Sequence, residues 1–171
     1  MGFNSRDIAV MALSTAFWSA LNVTLAPIFW QMTHLPFLCD LLAMISLILG
    51  LWWVRKPGTG TIIGLATTFI NLVARPGAFF FLGFTAASIV FDLAVYLVGY
   101  DNSFSKKTSP LILVTLGVFS TWIASLIIGS FFMDGRVPLL WFSFLHASGG
   151  FIGSIIGIIL VKSLEVRGIK P

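Results

Sequence analysis

Nine residues of this chain are of types that could hold a small molecule. Asn22, Asp40, Asn71, Ser88, Asp92 and His146 fall inside long apolar runs, and Trp30, Gln31 and His34 fall in the first connection between runs. Polar groups in such runs are expensive to bury, so each needs either a structural partner or a ligand. The amides, the hydroxyl and the imidazoles offer donors and acceptors to a polar solute. Asp40 and Asp92 are the acids within the runs that could attract a cation or hold a proton. Each also has a structural reading. Ser88 and its neighbour Thr85 can bond to their own backbone. Asp40 can cap a helix, Asp92 can pair with a group on the other side of the midplane, and Trp30 suits an interfacial aromatic belt.

The same residues do not assemble a catalytic set. His146 and Ser148 are neighbours on one run and point apart, and no Gly-x-Ser-Gly motif accompanies them. A nucleophile needs its base on a facing element. There is no His-Glu-x-x-His for zinc and no Gly-x-x-x-x-Gly-Lys-Ser/Thr for nucleotide phosphates. A single cysteine, Cys39, forbids an internal disulfide and a cysteine metal site. The expectation is therefore a binder with no chemistry, no cofactor and no metal.

The elements that must position these residues are membrane helices. Hydrophobic residues make up 58% of the chain and charged residues 9%, and the mean hydropathy is +1.02. About 20 apolar residues span a bilayer as a helix. The pattern predicts six spans over 7–25, 36–54, 60–75, 78–99, 109–132 and 139–162, joined by short connections into one bundle covering 1–171. A barrel is excluded, because its strands alternate in polarity and these runs do not. Arg6 precedes the first run, but Asp7 follows it and no small-x-small cleavage site comes after, so the run is expected to stay as a span rather than leave as a signal peptide.

Basic residues set the orientation. Arg6, Arg55, Lys56, Lys106, Lys107, Lys162, Arg167 and Lys170 fall in connections on one side of a six-span chain, and Arg75 and Arg136 fall on the other. The positive-inside rule then predicts both termini in the cytoplasm of a multi-pass cell-membrane protein. The net charge of +4 is split among short loops, which argues against nucleic acid as a partner.

Helical spacing sorts the polar residues by face. Gly64, Thr67, Asn71 and Arg75 share one stripe, and Thr85, Ser88, Asp92 and Tyr96 another. His146 heads the small-residue ladder Gly149, Gly153 and Gly157, which suits helix packing inside the bundle. Ala12, Ala16 and Ala20 form a smooth stripe on the first span. Asn22 lies about 200° round the helix from Ala20, so one face is predicted to dock a partner and the other to look inward. The connection from Ala26 to Pro36, bracketed by Pro27 and Pro36, is predicted to be a loop folded onto the bundle.

Six short spans, cytoplasmic termini and an Ala-x-x-x-Ala stripe in span one together resemble an S component, the substrate-binding membrane subunit of energy-coupling factor (ECF) vitamin transporters. The resemblance covers the whole chain. It implies that Ala12 and Ala16, with Ala20 next along, pack against the coupling helices of a transmembrane T subunit. It further implies that two cytoplasmic ATPases supply the energy, and that the first external loop closes over a pocket for a small water-soluble vitamin or precursor. Within the family the likeness is to the YkoE type, carried by Arg55-Lys56-Pro57-Gly58 and the Gly/Ala-rich start of span four. That type implies thiamine or its hydroxymethylpyrimidine precursor. The sequence has no acid between Lys56 and Asp92, where that type is expected to place one in span three. The competing readings are a stand-alone carrier or channel, and an intramembrane hydrolase of rhomboid type.

Overall fold

The computed structural model describes residues 2–133 and 138–171, and over these the chain is helical, with no strand. The helices are α1 (Ser5–Thr33), α2 (Phe37–Val54), α3 (Thr59–Ala74), α4 (Phe81–Val98), the short α5 (Tyr100–Phe104), α6 (Ser109–Phe132) and α7 (Leu139–Val166). Five of them, α1, α2, α4, α6 and α7, are long and apolar enough to cross a membrane, and α3 is a shorter apolar helix. This is a multi-pass membrane protein. Arg136, counted above in the charge balance, lies outside the described residues.

The long helices close into a ring in the order α1, α2, α7, α6, α4, α3 and back to α1, with α2 leaning inward to touch α3, α4 and α6 as well. Trp18, Met44, Leu47, Ile48, Leu51, Ile63, Phe81 and Phe91 fill the interior. Large apolar side chains such as Leu13, Phe69, Leu97, Leu111, Phe131 and Leu140 point outward, which suits a lipid surround and would be untenable in water.

Close helix contacts depend on small residues. A Cβ at Gly153 would stand 2.6 Å from the Leu41 carbonyl oxygen and 2.7 Å from its Cα, so α7 and α2 meet backbone to backbone there. Gly149 meets the Phe37 backbone in the same way, and Gly157 faces Ile48. The ladder headed by His146 is thus the seam between α7 and α2.

Most of the basic residues gather at one end of the bundle, with Arg75 at the other. Asn4 and Asp7 form a capping box at the start of α1, with Asp7 N–H donating to Asn4 Oδ1 (2.8 Å) and Asn4 N–H donating to Asp7 Oδ2 (2.9 Å). Lys56 Nζ, from the α2–α3 turn, also reaches Asp7 Oδ2 at 2.6 Å. Arg55 ends α2 in the left-handed region (φ 48°) and lies 3.6 Å from Asp101 on α5. Trp52 Nε1 donates to Glu165 near the end of α7 (3.0 Å).

One connection departs from expectation. The predicted loop Ala26–Pro36 is mostly helix: α1 runs on through Pro27 to Thr33, leaving His34, Leu35 and Pro36 to make the turn. Proline removes one backbone donor and crowds one carbonyl, which bends a helix without having to end it. Where solvent cannot satisfy a free backbone, continuing the helix is the cheaper solution. The expected lid is accordingly a helical extension of the first span, closed by His34 in the left-handed conformation (φ 57°), whose N–H donates to the Trp30 carbonyl.

Candidate functional site

A cavity of about 360 Å³ opens at the end of the bundle opposite the basic cluster. Its walls come from the last turns of α1 (Ala26, Pro27, Trp30, Gln31), the start of α2 (Leu38, Cys39) and the starts of α4 (Phe84) and α7 (Phe142, His146). Arg75, just after α3, and Phe80, just before α4, complete much of the rim, with Ile128 and Met133 from the end of α6. The size suits a small molecule, and the lining pairs an apolar, aromatic surface with a few polar groups, as ligand sites commonly do.

Of the nine residues singled out from the sequence, Trp30, Gln31 and His146 line this cavity. Asp40 is one contact further back: it is fully buried, and its Oδ2 lies 2.7 Å from His146 Nδ1. That places the carboxylate behind the imidazole, which presents its other edge. His146 Nε2 is buried and has no hydrogen-bond partner among the described residues. The ring also packs edge-on against Phe142, with centroids 4.4 Å apart. The Asp40 carboxylate on α2 and the imidazole on α7 can approach because the glycines below them let the two helices touch.

Asn22 and Asn71 are wholly buried but sit in the seam between α1 and α3 rather than in the cavity lining. Asn71 Nδ2 donates to the Thr67 carbonyl, while both side-chain atoms of Asn22 and the Oδ1 of Asn71 are unpartnered. Trp18 Nε1 and Thr67 Oγ1, on the same helical faces, are unpartnered too. The inward orientation predicted for Asn22 matches its position, and Ala12, Ala16 and Ala20 are exposed on the other side of α1.

Three candidates are not brought to the cavity. His34 is exposed at the tip of the turn. Ser88 is buried against α3, where a Cβ at Gly64 would strike it, and its hydroxyl donates to the Phe84 carbonyl. Asp92 lies about 12 Å along α4 from Phe84 at 1.5 Å per residue, toward the basic end. Its Oδ2 accepts from the Thr61 N–H (3.0 Å) and the Thr61 hydroxyl (2.8 Å). Gly58 stands at the N-cap of α3 and has no side chain to satisfy the orphan N–H groups of the first turn, so Asp92 supplies the cap from the neighbouring helix. Tyr96, on the same predicted stripe, is half exposed.

The Asp92 cap yields a first prediction. Asp92→Ala should lower stability by about 1–2 kcal/mol, the usual range for a lost helix cap, and Asp92→Asn, which keeps an acceptor, should recover most of it. Thermal unfolding in a fixed detergent measures this.

Sequence reasoning missed Arg75 as a site residue. It entered only as a charge in the orientation count and as the end of the Asn71 stripe. In the structure it lines the cavity, its Nη2 donates to the Asn22 carbonyl (3.2 Å), and its guanidinium carbon stands 5.5 Å from the centre of the Phe81 ring. Its anchor is the residue next to Val23, whose carbonyl loses its helical partner because Pro27 has no N–H. Cys39, Phe80, Phe84 and Phe142 were also missed, because nothing in their spacing separates a cavity wall from a core.

Among the described residues no three His, Cys, Asp or Glu side chains converge as metal ligands. Ser148 donates to the Phe144 carbonyl and stands apart from the His146–Asp40 contact.

No family model matches the sequence, and no curated protein does. Among solved structures, the fold is similar to the crystal structure of an S-component of an ECF transporter, with a TM-score of 0.68 and 15% sequence identity over 98% of this chain and 88% of that one. At that identity the likeness is one of fold, and it extends over nearly the whole of α1 to α7.

Proposed function

We propose that this chain is the substrate-binding S subunit of an ECF-type importer in the cell membrane. In this reading α1, α2, α3, α4, α6 and α7 are the six spans, both termini and the basic end face the cytoplasm, and the cavity opens outward. The observation that carries it is the division of α1 into two faces. Ala12, Ala16 and Ala20 leave a smooth exposed stripe toward lipid, while Asn22 and the wall residues Ala26 and Trp30 face the interior or the cavity. One helix thereby joins a surface fit for close helix docking to a ligand-sized cavity, within a fold similar to that of an S component.

The subunit would do no chemistry. It would bind a small water-soluble vitamin or precursor, and the T subunit with two cytoplasmic ATPases would drive inward release. Among ligands implied by the YkoE likeness, the thiazolium of thiamine would face Arg75 with no carboxylate in the lining, whereas the uncharged hydroxymethylpyrimidine avoids that repulsion. The test is reconstitution. Proteoliposomes holding the chain with a T subunit and its ATPases should accumulate the small molecule that copurifies with it, and only with ATP. Proteoliposomes holding the chain alone should not. ATP-independent uptake by the chain alone would establish a stand-alone carrier instead.

A further inference from the structure

We infer that the cavity takes a small organic anion, a carboxylate carried on a flat apolar body, with Arg75 as its counter-charge. The inference rests on reading the cavity as the substrate site.

The charge inventory of the walls points this way. Arg75 is the one Lys, Arg, Asp or Glu among the lining residues. The nearby acid, Asp40, is wholly buried behind His146, with its Oδ2 2.7 Å from the imidazole Nδ1, and does not line the cavity. Asp92 is committed to Thr61 at the other end of α4. Among the described residues no carboxylate lies within ion-pair distance of Arg75. Among the described residues, a cation entering this cavity would meet a guanidinium and no carboxylate on the wall.

The state of the guanidinium strengthens the argument. Its Nη2 donates to the Asn22 carbonyl and its guanidinium carbon stands 5.5 Å from the centre of the Phe81 ring, two contacts that restrain the group. Yet its Nε is buried and has no hydrogen-bond partner. With Nη2 bound to Asn22 and Nε buried, Nη1 is the donor left to meet a carboxylate in the cavity through a charge-assisted hydrogen bond. The rest of the wall sets the other half of the ligand. Trp30, Phe80, Phe84 and Phe142 offer aromatic surface, which favours a planar or apolar body, and Gln31 remains for a polar substituent.

A matched series of probes tests this on the full chain in detergent micelles: 3-phenylpropionate, 3-phenylpropionamide and 3-phenylpropylammonium, measured by isothermal titration calorimetry against empty micelles. The expected order is carboxylate over amide over ammonium. The carboxylate should bind at least about tenfold more tightly than the amide, the scale of one hydrogen-bonded ion pair. Arg75→Gln should collapse that ratio to near one. Arg75→Lys, which keeps the charge, should retain the order with a smaller ratio, and it serves if the Gln variant fails to fold. Equal binding of all three, or preference for the amide or the ammonium, overturns the anion assignment and leaves the binding-subunit reading standing. No saturable binding of any of the three overturns the cavity as a ligand site, and the proposed function with it.

Discussion

For the proposed S subunit, Ala12→Trp and Ala16→Trp are expected to abolish ATP-driven uptake and copurification with the T subunit, while the isolated chain keeps its ligand and its stability. Both alanines are exposed on α1, on the side away from the buried Asn22. An indole there projects toward lipid and touches nothing in the bundle, so stability should change by no more than about 0.5 kcal/mol, as for surface substitutions generally. Docking is a different matter. Helices in lipid associate through close packing, because lipid tails already satisfy apolar surface. A Trp in the stripe holds the partner backbone away and removes that packing along the whole contact. Uptake should fall to the level seen without ATP. Native mass spectrometry of the isolated variants should show the copurified small molecule retained as in the parent. Parallel loss of ligand and uptake would mean the stripe acts on the bundle itself, and undiminished uptake would mean it docks nothing. Ala20→Trp, further from the basic end, should have a smaller effect.

Gly153→Ala should produce a large loss of stability from a single methyl. The added Cβ would stand 2.6 Å from the Leu41 carbonyl oxygen, and the obstructing atoms are backbone. A flexible side chain could turn aside, but a helix backbone can give way only by moving α7 off α2. Overpacking of this kind costs about 1–3 kcal/mol. The displacement would reach the cavity as well, since α2 carries Asp40 and α7 carries His146, and their 2.7 Å contact depends on the same seam. Gly2→Ala is the control: nothing lies within 4 Å of the Cβ it would add. Thermal unfolding of both variants in one detergent decides the matter. A Gly153→Ala midpoint equal to that of Gly2→Ala would show that the two helices are not held this closely.

Apolar runs and basic residues made much of the architecture legible in advance. Hydrocarbon tolerates backbone only in a helix, so a long apolar run predicts its own structure with little help from its neighbours. The run 109–132 and the helix Ser109–Phe132 coincide for that reason. The first run failed where the signal was proline. Pro27 and Pro36 bracket a polar, aromatic stretch that reads as a loop, but only Pro36 lies at a turn, and Pro27 is carried inside α1. A proline's effect is set by whether its surroundings can absorb one lost hydrogen bond, and the sequence does not contain that information.

The candidate site was legible in part. Periodicity could say that Asn22 lies opposite the alanines, because both stand on one helix whose geometry is known. It could not say that Asp40 would meet His146 across more than a hundred residues of chain, or that Asp92 would be consumed in capping a helix that begins with Gly58. What the sequence by itself determined was a membrane bundle with its basic residues at one end, a smooth stripe on its first helix and a set of buried polar groups. The tertiary structure alone decided which of those groups share a cavity, and that among the described residues the charge lining it is Arg75. The reason is physical: a helix's face follows from residues a few positions apart, whereas a buried charge is defined by whatever the remote helices bring against it.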